Sequence, residues 1–136
     1  MKKVLNVCAF AAISTLLSLA FVNVVHAWSS YTVGSLTITS TYNSYHGTYD
    51  YTDANAHATY SVSGVSVGSS GYTQFYTDLQ RSYGGMWVGY GAKLTRLNTP
   101  NLSSRVVWND IVAGSHRYHI YGNNGTAYVT MTVGSY

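Results

Sequence analysis

Residues 28–136 of this 136-residue chain predict an all-β fold, a single antiparallel β-sandwich or small barrel, on three observations. Apolar and polar residues alternate with a period of two through most of the segment, which is the period of a strand and not of a helix. The segment is rich in Thr, Val, Tyr and Ser and poor in good helix formers, and β-branched and aromatic side chains suit a pleated, half-buried surface. Clusters of Gly, Asn, Asp and Ser separate the alternating runs at short intervals, as sandwiches require.

Taken in order, Leu36, Ile38 and Tyr42 share one face of the first run and Thr37, Thr39 and Thr41 the other. Tyr45, Tyr49 and Tyr51 share a face of the second. Ala56, Ala58, Tyr60 and Val62 continue the alternation, and after Ser63-Gly64 the apolar phase moves to Val65 and Val67. A one-residue phase change beside glycine predicts a bulge or tight bend. Asp78-Leu79-Gln80-Arg81 has room for one helical turn, but no stretch fits a long amphipathic helix. Met86, Val88, Tyr90, Ala92 and Leu94 form another alternating run, and Val106 to Val112 a shorter one. Arg117–Tyr121 and Thr126–Val133 flank Gly122-Asn123-Asn124-Gly125, which predicts a closing hairpin. In that hairpin Ile120 faces Val129 and Tyr118 faces Met131, leaving His119, Tyr121, Tyr128 and Thr130 on the opposite face.

The first 27 residues read as a cleavable export signal. Met1-Lys2-Lys3 is a positive head, an apolar run is densest from Ala9 to Val22, and Val25-His26-Ala27 places a small residue at the cut. Asn6, Ser14, Ser18 and Asn23 interrupt the run, unlike a membrane span of about 20 apolar residues. The expectation is a secreted, extracellular domain beginning at Trp28. Cys8, the only cysteine, falls inside the signal, so the remainder has no disulfide and no thiolate chemistry. Arg81, Lys93, Arg96, Arg105 and Arg117 face four aspartates there. So balanced a charge, without a clustered basic stripe, excludes a nucleic-acid partner. Membrane insertion is not expected either, because spanning strands need about 9–11 residues.

Catalytic motifs are sparse. Gly64-Val65-Ser66-Val67-Gly68 matches the pattern around a hydrolase serine, but that motif works as a strand-to-helix elbow and no helix follows here. Asp110 beside Trp108 has no marked second carboxylate for glycosidic chemistry. His116 and His119, three apart on a strand, point to opposite faces. The reading is a protein that is not an enzyme and calls for no cofactor. The one spacing that suits a metal is His46, Asp50, Asp53 and His57, since imidazole and carboxylate together suit zinc. The plain alternative is two strand histidines and two turn aspartates that happen to be near one another.

The 14 tyrosines, all after residue 27, are the stronger signal. Tyrosine joins a stiff apolar face to a hydroxyl and suits partly wet recognition surfaces. Some must fill the core, and one small core cannot satisfy every hydroxyl. The expected ligand-binding residues are Tyr45, Tyr49 and Tyr51 as one exposed cluster, Tyr121 with Tyr128 as another, and Trp87.

Trp28, then Tyr42-Asn43-Ser44-Tyr45-His46-Gly47, then Ala56-His57-Ala58-Thr59, then Gln80-Arg81 ahead of Gly85-Met86-Trp87, occur in an order that resembles the lactococcin bacteriocins of the nine-seven-two type. The resemblance spans roughly residues 28–108 with gaps; the stretch around Tyr49–Asn55 and the part beyond Asp110 are additional. It implies a small exported Tyr-rich sandwich without disulfides that engages the cell-wall precursor lipid II and blocks septum formation. It assigns no lipid-II-contacting residue to this chain. The expected function is therefore an antibacterial, envelope-directed sandwich whose partner is a cell-wall precursor or envelope glycan. Two other classes stand beside it: a non-catalytic glycan-binding or cell-surface module, and a matrix protein that self-associates through strand edges.

Overall fold

A computed structural model describes residues 29–98 and 103–136. The segment read as an export signal, Trp28 and residues 99–102 lie outside the described residues. Eight strands follow one another: β1 (Ser29–Ile38), β2 (Asn43–Tyr51), β3 (Ala56–Ser66), β4 (Thr73–Tyr83), β5 (Met86–Leu97), β6 (Ser103–Trp108), β7 (Gly114–Asn124) and β8 (Thr126–Ser135). They build two four-stranded antiparallel sheets, β1-β8-β3-β6 (sheet A) and β2-β7-β4-β5 (sheet B). The all-β sandwich expected from the alternation is thus present, and its strand order is that of an eight-stranded jelly roll.

Only β4 and β5 form a hairpin within one sheet. Gly84 and Gly85 make its two-residue turn with φ of 58° and 79°, the pair of positive values that a type I′ turn demands. Every other connection crosses between sheets. That overturns two expectations. Asp78–Arg81 is not a helical turn but the middle of β4. Arg117–Tyr121 and Thr126–Val133 are not a hairpin: β7 pairs with β2 and β4, β8 with β1 and β3, and the chain changes sheet at Gly125. The glycines there serve close approach. A Cβ on Gly122 would collide with the Thr39 carbonyl, and one on Gly125 (φ 67°) with Thr73 and the Ser66 carbonyl. Asn124 Nδ2 donates to Tyr72 O at 2.7 Å, fixing the crossing to the neighbouring loop.

In β3, β7 and β8 the inward faces are nonetheless those the alternation predicts, whereas the run Met86, Val88, Tyr90, Ala92, Leu94 is divided between the two faces of β5 by a bulge, with Met86, Val88 and Leu94 exposed. Ala56, Ala58, Tyr60 and Val62 of β3, Tyr118 and Ile120 of β7, and Val129, Met131 and Val133 of β8 are buried with Phe75, Leu79 and Ile38. Ile120 and Val129 both face the core, but from opposite sheets rather than along a ladder. Large phenols are tolerated there because their hydroxyls are bonded. Tyr60 OH meets Thr77 Oγ1 at 2.6 Å, joining β3 to β4 across the sheet gap. Tyr118 OH donates to His57 O at 3.0 Å and accepts from Tyr51 OH at 2.9 Å. Burial holds all three phenols far above their ordinary pKa, so they remain neutral donors.

Bulges decide which face each residue takes. The break after Ser63-Gly64 lies where the phase change predicted it, between Val62 and Gly64. A second bulge, between His46 and Tyr49, reverses the phase of β2. Two more interrupt β1 between Thr32 and Gly34, and β5 around Gly91 (φ 98°). Three of the four edge strands are therefore bulged, and the fourth, β6, has six residues. Such edges are poor templates for pairing with another chain.

Candidate functional site

The outer face of sheet B carries one contiguous row of rings and cations. β2 contributes Asn43 and Tyr45, β7 contributes Arg117, His119 and Tyr121, β4 contributes Gln74, Tyr76, Asp78 and Gln80, and β5 contributes Trp87 and Arg96. The registers Tyr45–His119–Asp78, Tyr121–Tyr76, Arg117–Gln80 and Ser82–Trp87 bring them together. On β4 and β7 these residues alternate with core residues, so those strands present every second side chain to this surface.

The rings stack along the row. The Arg117 guanidinium lies 4.4 Å from the Trp87 ring and 4.0 Å from the Tyr45 ring. Tyr45 stacks on His119 at 4.3 Å and 16°, His119 lies 5.1 Å from Tyr121, and Tyr121 stacks on Tyr76 at 5.1 Å and 16°. Further along, Arg96 covers the Tyr72 ring at 4.3 Å. Cation–π and offset-stacking contacts of this kind hold side chains in one rotamer and reduce the entropy lost on binding.

Hydrogen bonds brace the same row. Arg117 Nε donates to Gln80 Oε1 at 2.9 Å, Gln80 Nε2 to Asp78 Oδ2 at 3.2 Å, and Arg96 Nη2 to Gln74 Oε1 at 3.2 Å. His119 Nε2 donates to Asn43 Oδ1 at 2.7 Å. Burial lowers the His119 pKa; Asp78 opposes that and Arg117 reinforces it, so the imidazole is neutral at pH 7 with its proton on Nε2. Burial raises the Tyr121 phenol, with Asp78 and Tyr76 adding to it. One end of the row opens into a shallow cavity of about 400 Å³ bounded by Thr41, Tyr42, Asn43, His119 and Tyr121. The surface thus offers ring edges, phenol and amide groups and a fixed guanidinium, an amphipathic strip rather than a deep pocket.

The predicted site residues divide between this face and other places. Tyr45, Tyr121 and Trp87 lie on it. Tyr49 and Tyr51 do not, because the bulge at Gly47-Thr48 turns them inward: Tyr49 is half-buried against Tyr31, Tyr51 and Tyr118, and Tyr51 is 1% exposed. The exposed cluster of three expected there is therefore one exposed residue and two core-side ones. Tyr128 is exposed on the outer face of sheet A, so it and Tyr121 sit on opposite surfaces of the sandwich. Their expected pairing required the hairpin that does not form.

The metal candidates are scattered as well. His46 Nε2 is bonded to Tyr42 OH at 2.8 Å, Asp50 accepts from Ser115, Asp53 accepts from Ser135 Oγ at 2.7 Å, and His57 is buried in sheet A beside Tyr136. Among the described residues no group of three or more His, Cys, Asp or Glu stands close enough to hold a metal ion. Ser66 ends β3 in an exposed position, with its carbonyl accepting from Thr73. Trp108 is buried, donating its indole N–H to Gly91 O at 2.9 Å.

Arg117, His119, Tyr76, Gln80 and Asn43, with Gln74, Asp78 and Arg96 at the border, are the site residues that sequence reasoning missed. The available signal was Arg117-x-His119-x-Tyr121, three polar or aromatic residues alternating with the core residues Tyr118 and Ile120.

No family model and no curated protein matches this chain. Among solved structures, tripeptidyl peptidase 2 contains a segment that superposes with a TM-score of 0.58 at 8% identity, over 80% of this chain. This chain spans 10% of that protein's length. A xylan-binding domain of carbohydrate-binding module family 22 from Paenibacillus barcinonensis superposes with a TM-score of 0.45 at 9% identity, covering 80% of this chain and 81% of that one. The C-terminal family 22 carbohydrate-binding module from Clostridium thermocellum gives 0.42 at 12% identity, covering 85% and 88%. At such identities the likeness is one of fold.

Proposed function

We propose that this protein is an extracellular, non-catalytic module that binds a polysaccharide of a cell surface through the outer face of sheet B. The observation that carries the proposal is the continuous row Trp87–Arg117–Tyr45–His119–Tyr121–Tyr76, locked by stacking and bordered by Asn43, Gln74, Asp78 and Gln80. A pyranose presents apolar C–H surfaces and a belt of hydroxyls, and a strip that alternates ring carbon with fixed amide, phenol and guanidinium groups complements both. The open form of the strip suits a chain passing across it better than a small molecule enclosed by it. Asp78 is the only carboxylate among the row residues and is bonded to Gln80, whereas glycosidic hydrolysis generally employs two. The bulged and short edges favour this reading over edge-to-edge assembly into a matrix.

Affinity electrophoresis of the purified protein through gels containing a panel of soluble plant, algal and bacterial polysaccharides tests the reading, with isothermal titration for any that retard it. Saturable retardation by at least one polymer, lost in Tyr45→Ala and Trp87→Ala, is the expected result. Free migration through the whole panel would sink it. Peptidoglycan fragments and lipid II belong in the panel, because the lactococcin resemblance implies a cell-wall precursor and that precursor also carries sugars.

A further inference from the structure

The geometry points to a narrower ligand class: we infer that the row recognises a carboxylate-bearing polysaccharide, with Arg117 as the residue that receives the carboxylate. This rests on the polysaccharide reading above.

Arg117 is a positioned cation with no carboxylate paired to it among the described residues. Its Nε is taken by Gln80 Oε1, and its Cζ lies over the Tyr45 and Trp87 rings. The terminal nitrogens remain as a two-donor edge, and a planar guanidinium held in one orientation matches a planar carboxylate through two parallel hydrogen bonds. The neighbouring acid does not quench it. Gln80 stands between, accepting from Arg117 and donating to Asp78, so the two charges are linked through a neutral amide instead of an ion pair. Asp78 is also recessed: its Oδ1 is buried, and a Cβ on the facing Gly89 would press on its carboxylate.

A second cation, Arg96, is fixed in the same way over Tyr72 with Gln74 as its acceptor. Gln74 and Gln80 are six residues apart on β4, so the two arginines stand about 20 Å apart along the same face. Two guanidiniums at that separation, with stacked rings between them, suit a polymer that repeats its charge and not a single anion.

Polygalacturonate and its fully methyl-esterified form are a matched probe pair, since they share a backbone and differ in free carboxylates. Titration calorimetry of the wild-type protein should show at least tenfold tighter binding to the free acid. Arg117→Gln should remove that preference, and Gln80→Glu, which places a carboxylate within reach of Arg117, should weaken acid binding at least tenfold. Circular dichroism melts keep the variants comparable, and the near-isosteric Gln80→Glu decides the matter if Arg117→Gln misfolds. Arg117→Lys keeps the charge but not the fork and should recover only part of the affinity. Equal affinity for acid and ester, or binding confined to neutral polymers, would overturn the inference while leaving the polysaccharide reading intact. Dextran sulfate bound as tightly as polygalacturonate, with Arg117→Lys equal to wild type, would overturn it too, by showing attraction to charge alone. Absence of binding to any polysaccharide would remove both.

Discussion

The two outer faces of the sandwich are built from the same vocabulary of Ser, Thr and Tyr and differ in what their side chains do to one another. On sheet A, Thr130 and Thr132 of β8 stand beside Ser35 and Thr32 of β1 and Ser61 and Thr59 of β3, with Tyr128 exposed among them. Contacts on this face are few among the described residues: Ser63 Oγ donates to Tyr128 O at 3.1 Å, and Arg105 and His57 meet the Tyr136 ring at 5.4 and 5.9 Å. On sheet B the residues in the same relation are long or planar, and they stack and bond into a row that crosses all four strands. Strand propensity is served equally well by both faces. Under the proposed function, recognition falls to the face whose side chains hold each other in place.

Four measurements test this contrast. The largest effect is expected on binding: Tyr45→Ala combined with Trp87→Ala removes both rings from Arg117 and should weaken polysaccharide binding ~100-fold, as loss of a hot-spot cluster does. Tyr128→Ala on the other face should leave the affinity within about twofold, by the same titration. Next comes the layer between the faces. Tyr60→Phe strands Thr77 Oγ1 in the core and should cost about 1–3 kcal/mol in urea unfolding.

The third effect is a pH dependence. His116 is buried between the Tyr51 and Tyr90 rings, Nδ1 donates to Gly114 O at 2.7 Å, and Nε2 has no partner among the described residues. Burial lowers its pKa, Arg81 lowers it further, and the Gly114 bond and Asp50 oppose them. The unfolded chain then binds the proton more readily than the folded one. Stability is fully present above the unfolded value of 6.5 and is lost as pH falls below it, towards the folded pKa. The urea midpoint should fall between pH 7 and pH 5, and His116→Phe should lessen that slope without abolishing it, because burial also lowers His46, His57 and His119. The smallest effect should come from Thr130→Val, which alters the sheet A face by one hydroxyl and should change stability by no more than about 0.5 kcal/mol and binding not at all.

Much of the fold was legible. In β3 and β7 the inward residues are those the alternation predicts, Ala56–Val62 and Tyr118–Ile120, whereas β4 carries no predicted run and its Asp78–Arg81 stretch reads as a helical turn. The bulge beside Gly64 showed in the sequence because valines stand on both sides of it to record the change of phase. The bulge at Gly47-Thr48 did not, because tyrosines stand on both sides, and tyrosine is at home either buried or exposed. Tyr45, Tyr49 and Tyr51 therefore read as one cluster although the chain turns two of them inward. The hairpin failed for a related reason. Gly122-Asn123-Asn124-Gly125 has turn chemistry, but its glycines answer to the Thr39 carbonyl and the Thr73 side chain, both remote in sequence.

By itself the sequence determined that the domain is made of strands and, in β3, β7 and β8, which residues face inward, because those properties depend on neighbours one or two residues away. Tertiary structure alone decided which sheet each strand joins, and therefore that Tyr45, Trp87 and Arg117 meet while Tyr121 and Tyr128 part. Strand pairing is fixed by long-range burial of whole faces and by the hydroxyl bonds that cross the core, and no local pattern carries that information.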